Sequence, residues 1–171
     1  LQVLSAERPA DALRNYQLRQ EKTSAPELGT QYGYLLAQLE NKKYRAAQRT
    51  ITQLKKSDLQ QLAIQLAIIQ TNLQLKPVRA LTQYKDLLQY YPNNSAVIHD
   101  YIVALLNQEK AATAQKILNT HLKKNVEQPI FFRLLSKTEA TLGNQTASHQ
   151  AMAEYYYQIG QIHQAIQQLE L

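Results

Sequence analysis

Two stretches of the sequence, "RPADALRNY" at residues 8–16 and "KPVRALTQY" at residues 76–84, are nearly the same phrase. Each begins with a cation and a proline, and each places alanine, leucine and a closing tyrosine in matching positions. Pro9 and Pro77 are 68 residues apart, which is twice 34. A sequence motif that recurs at such a spacing indicates that the chain is built from repeats.

Small residues mark the same position in the other copies of the phrase. They follow one another at intervals of 35, 33, 34, 34 and then 17 residues: Ala12, Ala47, Ala80, Ala114, Ser148 and Ala165. A period of 34 is typical of tetratricopeptide (TPR) repeats, each a pair of antiparallel helices. A small residue suits the point where the two helices cross most closely. We therefore predict that residues 1–171 form one all-α domain, a right-handed αα-solenoid of TPR-like helix–turn–helix repeats.

The clearest repeat spans residues 61–94. Its first helix should turn one face inward, because four residues recur at the spacing of a helical stripe: Ile64, Ala67, Ile68 and Thr71. Pro77 suits the first turn of the second helix, where its missing N–H costs nothing. Ala80, Tyr84 and Leu87 should line the inner face of that helix. The final interval of 17 residues is half a period, so the helix near residues 146–159 should close one repeat and open the next.

Composition narrows the class of protein. Glycine occurs 4 times and proline 5 times, and cysteine does not occur. These values disfavour β-sandwiches and disordered linkers, and they exclude disulfides and thiolate sites. No apolar run approaches the roughly 20 residues of a membrane-spanning helix. The net charge of +6 permits an acidic partner without requiring one.

Three segments resemble a specific family. Residues 7–16, residues 32–51 ("YGYLLAQLENKKYRAAQRTI") and residues 147–169 ("ASHQAMAEYYYQIGQIHQAIQQL") are similar to the C-terminal TPR half of bacterial periplasmic zinc metalloproteases of the BepA/YfgC type. The resemblance implies an upstream protease domain with an H-E-x-x-H zinc helix and a secretory signal. It also implies a periplasmic role in the quality control of outer-membrane protein assembly. No H-E-x-x-H occurs in this chain, which we interpret as a fragment of a longer protein.

TPR arrays bind peptides on the concave face, which is lined by first-helix residues at fixed slots of each repeat. The register predicts that this face carries Gln65, Ile69, Asn72, His99, Val103, Leu106, Arg133 and Lys137. The TPR carboxylate clamp needs lysine and asparagine at slots where this chain has other residues, so we expect no clamp. Arg133 and Lys137 are one turn apart and suit an acidic group. The alternative is that they form a solvated basic face.

Enzymatic and nucleic-acid functions have little support. No two of His99, His121, His149 and His163 are four residues apart, so no helix presents a paired histidine metal site. We predict no catalytic residue, metal or cofactor in this chain, and zinc only in the upstream domain of the parent. Cations cluster between Lys42 and Lys56, but they form no stripe interleaved with aromatic residues. We therefore expect no nucleic-acid partner.

The leading hypothesis is a non-catalytic docking module in a periplasmic zinc-dependent metalloendopeptidase. Its partners would be proteins or peptides: the protease domain itself, a client or outer-membrane assembly proteins. The alternative is a free-standing TPR adaptor or scaffold with no enzyme attached.

Overall fold

A computed structural model describes residues 8–21, 27–56, 58–124 and 127–171, so residue 7 of the 7–16 stretch lies outside it. Within these ranges the chain forms ten α-helices, a short 3-10 turn at Asp58–Gln60 and no strand. The helices are α1 (Pro9–Glu21), α2 (Leu28–Glu40), α3 (Tyr44–Gln53), α4 (Leu62–Leu75), α5 (Pro77–Tyr90), α6 (Ser95–Asn107), α7 (Ala111–Leu122), α8 (Pro129–Thr141), α9 (Gln145–Gln158) and α10 (Ile162–Leu169). The predicted all-α class is confirmed.

The chain divides into two compact units, the first ending at Gln83 and the second running from Tyr84 to Leu171. In the first unit, α2 packs against α1, α3 and α4. In the second, α8 packs against α6, α7 and α9, and α9 also packs against α10. The consecutive helices from α1 to α4 and from α6 to α10 therefore pack against each other, as helix–turn–helix repeats require. The expectation of a single domain over residues 1–171 stays a prediction.

The small anchor residues take equivalent places in their helices. Each of the six is the fourth residue of its helix: Ala12 in α1, Ala47 in α3, Ala80 in α5, Ala114 in α7, Ser148 in α9 and Ala165 in α10. All six are buried, and three of them, Ala47, Ala80 and Ala114, are 0% exposed. The hydroxyl of Ser148 is satisfied, because it donates to the backbone oxygen of Ser136 at 2.9 Å. The sequence period therefore corresponds to a repeated position on the inner side of one helix in every pair.

The same type of turn joins consecutive helices at four places, after α2, α6, α8 and α9. At each of them, the backbone N–H three residues past the helix end donates to a carbonyl five residues earlier, as Lys110 does to Leu105 at 2.9 Å. This bond defines a Schellman turn, which needs one residue with positive φ. These residues are Lys42, Glu109, Gly143 and Gly160, with φ of 56°, 56°, 81° and 78°. The turn after α9 therefore has the same form as the turn after α8.

The repeat at residues 61–94 agrees with the prediction except at one position. Ile64, Ala67 and Thr71 are buried, and so are Ala80, Tyr84 and Leu87 of the second helix. Pro77 is the first residue of α5. Ile68, however, is only half-buried, whereas Ile69 is 3% exposed. The reason is that α4 packs against both α2 and α3, so it buries two stripes of side chains and not one.

A candidate protein-binding surface

The second unit places three of the predicted binding residues on the outer stripe of α6. The inner stripes of this helix are filled by buried apolar residues, among them Val97, Ile98, Tyr101, Ile102 and Leu105. His99, Val103 and Leu106 are left partly exposed. They lie four and three residues apart, so they follow one side of the helix. Val103 and Leu106 therefore form a partly exposed apolar surface on α6, with the imidazole of His99 at its N-terminal end.

The neighbouring helix α8 contributes the two predicted cations. Arg133 and Lys137 are exposed and one turn apart, while Phe131, Leu134 and Thr138 point into the core. Helices α6 and α8 are in contact. Five of the eight predicted residues therefore lie on the outer stripes of two adjacent helices: His99, Val103, Leu106, Arg133 and Lys137. We call these five residues the α6–α8 surface.

Two polar contacts order this surface. The guanidinium carbon of Arg133 lies 5.6 Å from the centre of the Tyr155 ring, a distance at which a cation and an aromatic face attract each other. His99 Nδ1 lies 3.1 Å from Asp100 Oδ1. The ring contact restrains the long side chain of Arg133, so less conformational entropy is lost when an anion binds to it.

The first unit does not expose its predicted residues in the same way. Ile69 and Asn72 are buried, and the amide of Asn72 donates from Nδ2 to Gln83 Oε1 at 2.8 Å. Gln65 is half-buried, and its Oε1 is enclosed without a hydrogen-bond donor among the described residues. These three side chains belong mainly to the packing around α4. Their part in binding stays a prediction.

The second unit also contains features that the sequence analysis missed. Tyr155, beneath Arg133, comes from α9 and has no fixed spacing to α8 that would have predicted the contact.

A cavity of about 540 Å³ is lined by residues of α7, α8 and α9, including Phe132, Leu135 and Glu154. Another of about 390 Å³ is lined by Leu88, Ile98, Ile117, Lys116 and Lys124, among others. A carboxylate at the edge of the first cavity, Glu139, is 5% exposed and accepts hydrogen bonds from Gln115 and Asn144.

Burial moves the pKa values of Tyr84, Tyr101 and His121 in the second unit. Tyr84 is fully buried and stacks on Tyr101 with ring centres 5.5 Å apart. Burial raises the pKa of Tyr84, and the negative charge of Asp100 raises it further. Burial lowers the pKa of His121, while a hydrogen bond with the Gln128 side chain acts in the opposite direction. Tyr84 and His121 are therefore neutral near pH 7 and act as parts of the core.

A metal-binding cluster and a membrane-spanning helix are both absent from the described residues. They contain no group of three or more histidine, aspartate or glutamate side chains placed to hold a metal ion. No helix among them has the length and apolarity needed to cross a membrane.

Comparison with known proteins agrees with this geometry. Residues 74–138 match the family model "Tetratricopeptide repeat". The match covers 65 of the 171 residues, from the end of α4 to near the end of α8, and it supports a TPR domain. No curated protein matches the sequence. Among solved structures, "MamA MSR-1 C2" is similar with a TM-score of 0.52 and 14% identity, over 82% of this chain and 91% of that one.

A mutant form of MamA also matches, with a TM-score of 0.49 and 16% identity, over 94% of this chain and 96% of that one. At 14% identity, the similarity to "MamA MSR-1 C2" shows the fold alone, an αα-solenoid of TPR repeats. The repeat match and the fold support a protein-interaction module. They do not test the resemblance to BepA/YfgC-type metalloproteases, which stays a prediction.

Proposed function

We propose that this TPR segment is a non-catalytic docking module that binds an acidic segment of a protein partner on the α6–α8 surface. The observation that carries the proposal is that Arg133 and Lys137 are exposed on α8, a helix that packs against α6, where Val103 and Leu106 are partly exposed. TPR domains are built to present such stripes to extended or helical peptides. The two cations would bind carboxylates of the partner. Val103 and Leu106 would contact the apolar side chains between those carboxylates.

The chemistry of the surface favours an acidic segment that also has apolar residues. Arginine binds a carboxylate with two parallel N–H donors, and the ring of Tyr155 holds Arg133 in place. Lys137 adds a second positive charge one turn away. Val103 and Leu106 offer a partly exposed apolar surface that a purely acidic, fully hydrated segment would not use. Binding should therefore depend on salt but should not vanish at high salt.

The finer proposal is that the chain is the docking half of a periplasmic zinc metalloprotease that acts in outer-membrane protein quality control. The support is the family resemblance at residues 7–16, 32–51 and 147–169. A zinc site supplies a strong nucleophile but little selectivity, whereas a docking surface raises the concentration of a client near the metal. The free-standing adaptor remains the alternative, and no contact in the structure favours it.

A binding experiment tests the first proposal. A labelled peptide in which glutamate alternates with leucine would be titrated with the wild-type chain and with the double variant Arg133→Glu/Lys137→Glu, using fluorescence anisotropy. We expect reversal of both charges to weaken binding by about tenfold or more. A control variant with the same change in net charge, Lys85→Glu/Lys116→Glu, alters exposed cations on α5 and α7. Equal weakening by both variants would mean that net charge, and not the α6–α8 surface, attracts the peptide.

A second experiment tests the finer proposal. The gene of the parent protein should encode a secretory signal and H-E-x-x-H before Leu1. In that full-length protein, Arg133→Glu/Lys137→Glu should slow cleavage of a folded client more than cleavage of a short generic peptide. An upstream region without a zinc motif would leave the adaptor as the better hypothesis. Equal loss on both substrates would remove the α6–α8 surface from client selection.

A further inference from the structure

The last helix leaves an apolar stripe open to solvent. Ile162 and Ile166 are each 49% exposed and Leu169 is 66% exposed. They are four and three residues apart, so they form one stripe of α10, which we call the α10 patch. Tyr157 and Ile159, 63% and 41% exposed, extend the apolar surface along the chain before it. On the other side of the helix, Ala165 is buried and α10 packs against α9.

The α10 patch carries no charge, although the whole chain has a net charge of +6. No aspartate, glutamate, lysine or arginine occurs between Glu154 and Glu170. Depletion of charge together with exposed large apolar and aromatic side chains is the composition of an interface core, and scattered surface residues do not show it. Two copies of this basic protein can meet here without burying like charges against each other.

The charges at the ends of α10 favour a second copy in an antiparallel arrangement. Residues 162 and 170 are eight positions apart, about 12 Å along a helix. When two such helices pack antiparallel around Ile166, Glu170 of one lies near the first turn of the other. That turn has the positive end of the helix dipole and the exposed side chain of His163. The same complementarity is made twice, because a two-fold axis repeats every contact.

We propose that the α10 patch is an interface between two copies of this chain, with their α10 helices antiparallel and the two-fold axis near Ile166. A stable interface buries about 800 Å² of each partner. One eight-residue helix with a short preceding segment offers less than that. We therefore expect a weak dimer that forms only at high protein concentration.

Sedimentation velocity over a concentration series from the low micromolar to the millimolar range tests the dimer. We expect the wild-type chain to shift from monomer to dimer, and Ile166→Glu to raise the dissociation constant at least tenfold. The matched control is Val78→Glu, which puts the same charge on another exposed apolar residue, 80% exposed on α5. It should dimerise as the wild type does. A monomer at every concentration, or equal behaviour of the two variants, would overturn the proposal.

Cysteine crosslinking gives a second, independent result that does not depend on a disruptive charge. The chain has no cysteine, so one introduced thiol reports on one position. Under mild oxidation at high protein concentration, Ile166→Cys should form a disulfide-linked dimer, because its position near the axis brings the two thiols together. Val78→Cys should not. Equal crosslinking of both variants, or none at Ile166→Cys, would show that random collision or another partner, and not a second copy, meets this stripe.

Discussion

At the scale of single residues, the size of one side chain sets how closely two helices approach. The fourth residue of α5 and of α7 is an alanine with no exposed surface, Ala80 and Ala114. Protein interiors are packed as densely as organic crystals, so the space around such a methyl group is already filled. The repeat can therefore tolerate many substitutions on its outer faces but not a larger residue at this position.

We predict that Ala80→Leu or Ala114→Leu destabilises the chain by about 1–3 kcal/mol, because overpacking forces strained rotamers or a shift of the backbone. Urea denaturation followed by circular dichroism would measure the change. Ala96→Leu in α6, at an exposed position, is the control and should have little effect. Unchanged stability in both anchor variants would contradict the assigned register.

His121 is a second residue whose role is set by burial. It is 5% exposed, and its ring meets the edge of Phe131 with centres 4.4 Å apart. Burial lowers its pKa below the ordinary value, against the effect of the Gln128 hydrogen bond. Histidine titrates near pH 6.5 in the unfolded chain. Just below that pH, His121 is therefore protonated in the unfolded chain but still largely neutral in the folded protein.

The free energy of unfolding should consequently fall as the pH decreases from about 7 towards 5. We predict that His121→Gln, which cannot titrate in this range, has a smaller slope over the same interval even if it is less stable at pH 7. Urea midpoints measured across the interval would show it. Parallel curves for the two proteins would mean that His121 is not the group responsible.

At the scale of elements, turns decide how one helix leads into the next. The Schellman turns after α2 and α6 use Lys42 and Glu109 at positive φ, whereas the turns after α8 and α9 use glycine. A side chain at positive φ places Cβ too close to the backbone, which costs about 1–2 kcal/mol, and glycine avoids this cost. Packing of the flanking helices must therefore offset the backbone strain at Lys42 and Glu109 in the first two turns.

We predict that Glu109→Gly stabilises the chain by about 0.5–1 kcal/mol, since the relief of strain exceeds the added flexibility of the unfolded chain. Gly160→Ala should have the opposite effect by a similar amount. An added Cβ at Gly160 meets no atom within 4 Å, so this variant reports the backbone strain alone. Thermal or urea unfolding would compare the two, and a loss of stability in Glu109→Gly would contradict this account of the turn.

At the scale of the whole molecule, the question is whether side chains from different helices come together to hold a metal ion. The described residues contain no cluster of three metal-binding side chains, and the full sequence has no cysteine. Zinc sites in proteins need about four ligands held in tetrahedral geometry. We therefore expect the isolated chain to hold no zinc.

We predict that the chain retains no stoichiometric zinc after incubation with the metal and dialysis, as measured by atomic absorption. A known zinc-finger peptide, treated in parallel, would control for loss of metal during dialysis. One zinc ion per chain that is lost on mutation of His99, His121, His149 or His163 would overturn this prediction.

The sequence by itself determined the repeat period, the helical class and the places of the small anchors. It also determined that Pro77 begins a helix and that Ala80, Tyr84 and Leu87 face inward. These properties follow from spacing along one chain, because residues three or four apart share a face of a helix wherever that helix packs. Spacing within one helix also predicted that the residues of the α6–α8 surface share one side of each helix.

Only the tertiary structure decided the features that depend on which helices meet. It buried Ile69 and Asn72, because α4 packs on two neighbours and loses a stripe that the repeat register assigned to binding. It placed Tyr155 under Arg133 and left the stripe of α10 uncovered. Spacing in one helix shows which residues share a face. Only the presence or absence of a neighbouring helix decides whether that face is core or surface, since burial is a property of both partners.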